Sequence, residues 1–390
     1  MGDLRRTTRL LCFCLCLGQA LSDVTLSFSV SQLSLEVGHY ATFNISPSSQ
    51  LAEDAVIDFT YQTGDTISDF TSGLLAPVPN VTILGNTSEG VPISVHALGA
   101  GAIILGVNTS SEEIDHADDT FVRIDIVHNS IVVTVSAVIG WLYFVAWSVS
   151  FYPQVIENFR RKSVVGLNFD YLGLNLTGFI SYSVFNVGLY WFPEIQAQYE
   201  ALHPRGQIPV QLNDVIFALH ALLLTVITIS QCFCFERGGQ RVSRVCIVIL
   251  ISAWSFVLIS LFVTIGKKIT WLEYLYFFSF VKLGVTLIKY VPQAWMNYRR
   301  KSTVGWSIGN VLLDFTGGSL SMLQMFLLAY NNDDWGSLFG NPTKFGLGLF
   351  SVLFDLLFIT QHYILYRHKQ PYEGVQVNEK SPLINPVPSA

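Results

Sequence analysis

Five stretches of at least 21 residues, 131–151, 171–192, 215–235, 245–266 and 345–366, carry no Lys, Arg, Asp or Glu, or only a single carboxylate. About 20 apolar residues cross a bilayer as a helix, and in lipid an unpaired backbone group is too costly for an irregular alternative. Two more stretches, 271–296 and 306–330, are apolar with charges inside them, so seven spans are expected. Composition agrees: 51% of residues are apolar and only 13% charged, about half the charged share of a soluble domain. A disordered chain, a coiled coil and an ordinary cytosolic enzyme are excluded.

The charge is unevenly spread. Residues 23–128 hold 14 Asp/Glu against one basic residue, Arg123. Such asymmetry points to two parts in two environments. Ahead of this region, Arg5, Arg6 and Arg9 precede a short apolar run, Leu10 to Gly18, and then small residues Ala20 and Ser22. That order reads as a signal peptide over 1–22, too short to span. Within 23–128, Val24–Val30, Ile93–His96 and Phe121–Ile126 alternate apolar and polar residues, the period of a half-buried strand. Gly, Pro, Asn and Asp clusters separate them, and an all-β sandwich is expected. The region has no cysteine, so it has to be held by an apolar core and not by disulfides. Four sequons, at Asn44, Asn80, Asn86 and Asn108, mark it as luminal and glycosylated.

Lys and Arg in the connections set the orientation. One set holds Arg160, Arg161, Lys162, Arg237, Arg241, Arg244, Arg299, Arg300, Lys301, Arg367 and Lys369, 11 in all, and the other only Arg205, Lys267, Lys268 and Lys344. The basic set is expected on the cytosolic side, with a luminal N-terminus and a cytosolic C-terminus. The resulting division is 1–22 signal peptide, 23–128 luminal domain, 129–368 seven-helix domain and 369–390 cytosolic tail.

The seven-helix region repeats. With residue n set against n+139, Pro153-Gln154 meets Pro292-Gln293, Arg160–Ser163 meets Arg299–Ser302, Gly166 meets Gly305 and Thr177-Gly178 meets Thr316-Gly317. From 153 to 178, 12 of 26 positions are identical without a gap. Spans 1–3 match spans 5–7, and span 4 links them. An odd linking helix gives both halves the same orientation, a parallel repeat whose substrate site is expected between the halves near the midplane. Pro153 and Pro292 each remove a backbone bond near the basic end of a long helix, and their matched places suit hinges for alternating access.

Span 5 carries Lys282, Lys289, Gln293 and Asn297, spaced 7, 4 and 4 and so on one helix face. Span 6 carries Asn310 and Asp314, also on one face. Charges in a span face a partner or a cavity. Two readings are open: a structural Lys–Asp pair, or a cavity holding both signs that suits a zwitterion. Asp314 aligns with Asn175, so only one half carries a titratable acid at this place. Asp355, deep in span 7, is the next candidate for proton coupling. Asp214 opens span 3, where a solvated or helix-capping role competes with coupling.

Tyr152-Pro153-Gln154 and Val291-Pro292-Gln293, the run Gly305–Gly318 and Glu236-Arg237-Gly238-Gly239-Gln240-Arg241 resemble the PQ-loop transporter family, and within it the lysosomal exporters of L-cystine. The resemblance implies proton-coupled export from lysosome to cytosol, with H+ as coupling ion and no cofactor. It implies a cystine site of Asn175, Lys282, Lys289, Gln154, Gln293, Asn297 and Asn310, with Phe151 and Tyr290 packing on it and Asp314 as the main coupling acid. It makes Pro153, Pro292 and the two glutamines part of a hinge and cytosolic gate. It also implies the vacuolar ATPase and Ragulator-type nutrient-signalling complexes as partners.

The polar tail holds Tyr372-Glu-Gly-Val375 and Glu379-Lys-Ser-Pro-Leu383-Ile384, patterns that fit tyrosine and acidic-dileucine sorting signals read by clathrin adaptor complexes. The sequence shows no nucleophile elbow, phosphate loop, metal-spaced His/Cys cluster or nucleic-acid-binding pattern, so neither an enzyme nor a nucleic-acid binder is expected. Two alternatives stand beside a cystine exporter: an exporter of cationic amino acids, which cavity lysines disfavour, and a seven-helix receptor, which the duplication disfavours.

Overall fold

The computed structural model describes residues 24–63, 66–68, 73–203, 208–335 and 342–367. The signal-peptide and tail motifs, including Tyr372, Val375, Glu379, Leu383 and Ile384, lie outside them. The chain forms two compact units, residues up to Thr134 together with Leu328–Trp335, and Val135–Leu327 together with the residues after 335.

The first unit is β-rich, with two sheets. One orders β1 (Leu26–Phe28), β3 (Tyr40–Pro47) and β7 (Val91–His96). The other orders β2 (Gln32–Glu36), β9 (Phe121–Val127), β8 (Gly101–Thr109), β4 (Ala55–Thr63) and β5 (Thr66–Ser68), with β6 (Val81–Ile83) also on β4. Pairing is antiparallel except between β2 and β9. Period-two alternation places Ala55, Ile57, Phe59 and Tyr61 of β4 inside, where they join Ile45, Ile93, Leu105 and Ile124 in one apolar core. That core replaces the missing disulfides. Asn44, Asn80, Asn86 and Asn108 are all exposed, Asn86 with a positive φ.

The same unit holds the first turn of span 1 and the end of span 6. The His128 amide donates to the Asn331 carbonyl at 2.9 Å. The Asn331 side chain accepts from the Asn129 amide and donates back to the Asn129 carbonyl, at 2.9 and 3.1 Å. Glu36 accepts from the Ser130 amide at 2.6 Å at the start of the helix, and hydrogen bonding by Ser130 holds this exposed carboxyl below its usual range.

Among the described residues, seven helices are long and apolar enough to cross a membrane. They are span 1, Ser130–Arg161; span 2, Phe169–Trp191; span 3, Leu212–Cys234; span 4, Arg244–Ile265; span 5, Trp271–Arg300; span 6, Ile308–Asn331; and span 7, Gly348–Leu365. A short helix, Pro193–Leu202, lies between spans 2 and 3. Sequence-local caps set several starts. Asn168 accepts from the amides of Asp170 and Tyr171 before span 2, Ser243 from Cys246 before span 4, and Thr270 with Glu273 forms a capping box before span 5. Spans 1 and 5 end alike, on Lys162 and Lys301 with φ of 51° and 48°, their ammonium groups 3.4 and 3.5 Å from the ring centres of Phe159 and Tyr298.

The helices around Pro153 and Pro292 differ. Span 5 is two helices, Trp271–Ile288 and Tyr290–Arg300, meeting at Lys289, four residues ahead of Gln293 and three ahead of Pro292, which cannot donate to the Ile288 carbonyl. Span 1 runs unbroken through Pro153. Span 7 ends in a wider π turn, Gln361–Leu365.

Candidate functional site

Span 1 buries Ser136, Ile139, Ala146, Ser150, Gln154 and Asn158, mostly three or four residues apart and so along one stripe. Its last two members begin a buried amide circuit. Gln154 donates to the Asn158 side-chain oxygen at 2.9 Å and the Gly305 carbonyl at 3.0 Å, and accepts from the Ser307 amide at 2.8 Å. Asn158 donates to Gln231 at 2.8 Å, and Gln231 to the Val155 carbonyl at 2.9 Å.

The second half repeats this bond for bond. Gln293 donates to Asn297 at 2.9 Å and the Gly166 carbonyl at 3.0 Å, and accepts from the Asn168 amide at 2.8 Å. Asn297 donates to Gln361 at 3.0 Å, and Gln361 to the Ala294 carbonyl at 3.1 Å. Each glutamine therefore reaches into the other repeat's loop. A buried amide pays heavily for an absent partner, so the circuits hold the two loops in a single arrangement. Where the loops meet, Gly166 and Gly305 sit at φ of 103° and 96°. A Cβ on Gly166 would strike the Val304 carbonyl oxygen and one on Gly305 that of Val165. The basic end of the bundle is thus closed by backbone pressed on backbone.

Above this closure lies the charged centre. Lys289 is 8% exposed, and its ammonium donates to the Asn175 side-chain oxygen at 3.1 Å. The neighbouring Tyr290 hydroxyl donates to Asp314 at 2.9 Å. Consecutive residues at the break in span 5 therefore bond to the aligned positions of the two repeats, Asn175 and Asp314. Lys289 and Asp314 form no ion pair within 4.0 Å, although both are described, so a simple structural Lys–Asp pair is not what the fold builds. Lys282 instead lies 4.4 Å from the ring centre of Phe179, and Lys289 lies 5.8 Å from the same ring. Face-on aromatic rings partly replace water around buried cations.

Asn175, Asn310, Phe151, Gln154, Tyr171 and Trp306 are among the residues lining a cavity of about 20 Å³ between the halves, room for about one water. Its small size means that a molecule as large as an amino acid fits only if the spans part. A larger hollow of about 230 Å³ lies on the first unit, by Glu36, His39 and Tyr40. It is an open surface hollow whose acid already accepts from Ser130, so size is a poor guide here.

The other candidates fall in different places. Gln293 and Asn297 are fully buried and belong to the second amide circuit. Asp355 is 2% exposed, with Oδ2 lacking a hydrogen-bond partner among the described residues. Asp214 accepts from the Gln211 amide at 2.9 Å in a capping box at the start of span 3, so the capping role is present. Sequence reasoning passed over Asn158, Gln231, Gln361, Phe179 and Trp306. Asn158 and Asn297 recur at the 139-residue offset, a usable signal. Gln231 and Gln361 are 130 apart, which the repeat alignment misses.

The model of the PQ loop repeat matches residues 135–195 and 274–334. A Cystinosin of Bos taurus is 48% identical over 355 residues, 90% of this chain and 94% of that protein. A Cystinosin of Drosophila melanogaster is 53% identical over 297 residues, 76% of this chain and 75% of that protein. A Cystine transporter of Saccharomyces cerevisiae is 29% identical over 254 residues, 61% of this chain and 96% of that protein.

Proposed function

The chain belongs to the cystinosin family of PQ-loop repeat proteins, and on that premise we propose that it exports cystine with protons from the lysosomal lumen to the cytosol by alternating access. The observation that carries this reading is the buried centre in which Lys289 and Asp314 are held apart by separate partners, Asn175 and Tyr290. Opposite charges kept near each other but unpaired suit a substrate with carboxylates and ammonium groups. Lys289 and Lys282 attract the carboxylates; Asp314, Asn175 and Asn310 receive the ammonium end.

Protons enter through the acid that only the second half carries. Asp314 binds a proton from the lumen and releases it to the cytosol, with Asp355 as a second acceptor. The paired glutamine circuits form the cytosolic gate. Opening that gate requires Gln154 and Gln293 to release the opposite loop together, because each is hydrogen-bonded into it. Pro292 and the break at Lys289 give the second half a hinge directly beside the charged centre. Delivery to lysosomes through Tyr372, Leu383 and Ile384 by clathrin adaptors, glycan on the four luminal asparagines, and contact with the vacuolar ATPase and Ragulator-type complexes complete the proposal.

Lys289→Ala tests the anion-recognising role. It should weaken cystine uptake about tenfold or more, the scale of a lost charge-assisted hydrogen bond. Competition by cystamine, the analogue without carboxylates, should change little. Equal loss for both compounds would make Lys289 a structural residue.

A further inference from the structure

Of the donors around the small cavity, most are already committed. The Gln154 amide donates to Asn158 and Gly305. The Thr225 and Thr228 hydroxyls donate to the carbonyls of Ala221 and Leu224 at 2.8 and 2.9 Å. The Asn175 amide reaches Thr225 at 3.4 Å. Trp306 differs from them. Its side chain lines the same cavity and it is only 5% exposed, yet its indole Nε1 is buried with no hydrogen-bond partner among the described residues. A buried N–H without an acceptor is costly, and buried tryptophans generally find a partner for it.

The ring cannot easily turn away. Tyr171 meets it edge-on at 4.9 Å and 88°, and Phe358 packs against it at 5.3 Å. The donor is therefore fixed in place. Position 306 also aligns with Leu167 in the repeat, and both residues line the cavity. The duplication has thus kept two wall positions but given only the second a polar group, the same asymmetry seen between Asn175 and Asp314.

We propose that Trp306 is a specificity-determining residue whose indole N–H donates to a carboxylate oxygen of the transported amino acid. An indole N–H has no acceptor capacity, so its complement is an acceptor, and an ionised one gives the stronger bond. The role rests on the transport reading above and adds to it a recognition element at the gate end of the cavity, next to Gln154.

The test is saturable uptake of radiolabelled cystine by the full-length chain with Tyr372, Leu383 and Ile384 replaced by alanine to bring it to the cell surface, with surface amount measured by biotinylation. Trp306→Phe keeps an aromatic wall and removes the donor. Replacement of Trp306 by benzothienylalanine keeps the bicyclic shape and removes only the N–H, so it decides the matter should the phenylalanine variant fail to reach the surface. Both replacements are expected to raise KM about tenfold or more with the maximal rate nearly kept. An unchanged KM in the isosteric variant overturns the role of Trp306 while leaving the transport reading intact. A surface-directed chain with Trp306 intact that takes up no cystine overturns both.

Discussion

Asp314→Asn will reach the membrane in normal amount, yet its cystine uptake will no longer respond to acid, and its rate in acidic medium will fall by an order of magnitude or more. The amide keeps the shape of the side chain and can still accept from Tyr290, whose hydroxyl lies 2.9 Å from the carboxylate. It cannot take up or release a proton. The first repeat already carries asparagine at the aligned position, where Asn175 accepts from Lys289 at 3.1 Å. The variant would make the two halves alike at this aligned position. Intramembrane ionisable groups are costly to keep and mark proton or substrate paths. Uptake measured in acidified and neutral medium checks the claim: full pH dependence in the variant would remove Asp314 from the coupling role and turn attention to Asp355.

The second large effect is expected at the proposed cytosolic gate. Gly305→Ala places a Cβ against the Val165 carbonyl oxygen and Gly166→Ala against that of Val304, at backbone φ of 96° and 103° where only glycine is at ease. The loops cannot yield without breaking the Gln154 and Gln293 circuits that fix them. Either substitution should therefore leave the cytosolic end unable to close and cut uptake more than tenfold, the outcome of a steric block on one state of a two-state cycle. The two changes act on one contact, so the double variant should be scarcely worse than either single one. A thiol probe applied from the cytosolic side to a cysteine at Thr228 should react faster in the variants, because Thr228 lines the cavity behind the gate. Independent, additive losses would mean that the two glycines do not share a function.

Much of this arrangement was legible in the sequence because its signals are local or periodic. Apolar stretches, five of them nearly charge-free and two with charges inside, located the seven spans, alternation located β7 and β9, and the 139-residue offset alone brought Gly166 to Gly305 and Gln154 to Gln293. The spacing of Lys282, Lys289, Gln293 and Asn297 gave one inward face, and the structure buries Lys289, Gln293 and Asn297. It could not say that the upper part of this face meets the charged centre while Gln293 and Asn297 are committed to an amide circuit. That division depends on partners such as Gln361, which shares neither helix nor repeat register with them. The parallel pairing of β2 with β9 joins strands far apart in the chain, and no local pattern encodes it. Pro153 and Pro292 look alike in sequence, yet only span 5 breaks, because a helix tolerates a lost hydrogen bond or not according to what packs around it. Trp306 escaped notice for the same reason: a tryptophan in a connecting segment becomes informative only when its N–H is seen to be buried without an acceptor.

The central claim is that this chain moves cystine together with protons, and uptake by protein diverted to the cell surface measures it most directly. By the sorting proposal, replacing Tyr372, Leu383 and Ile384 by alanine should bring the chain to the cell surface with its luminal face to the medium, so that export is read as uptake. Radiolabelled cystine, lysine and arginine are then offered in acidified and in neutral medium. The expected result is saturable cystine uptake that acid strongly stimulates, with little uptake of the two cationic amino acids. Cystine uptake that is the same in both media, or transport of lysine or arginine in its place, would contradict the account.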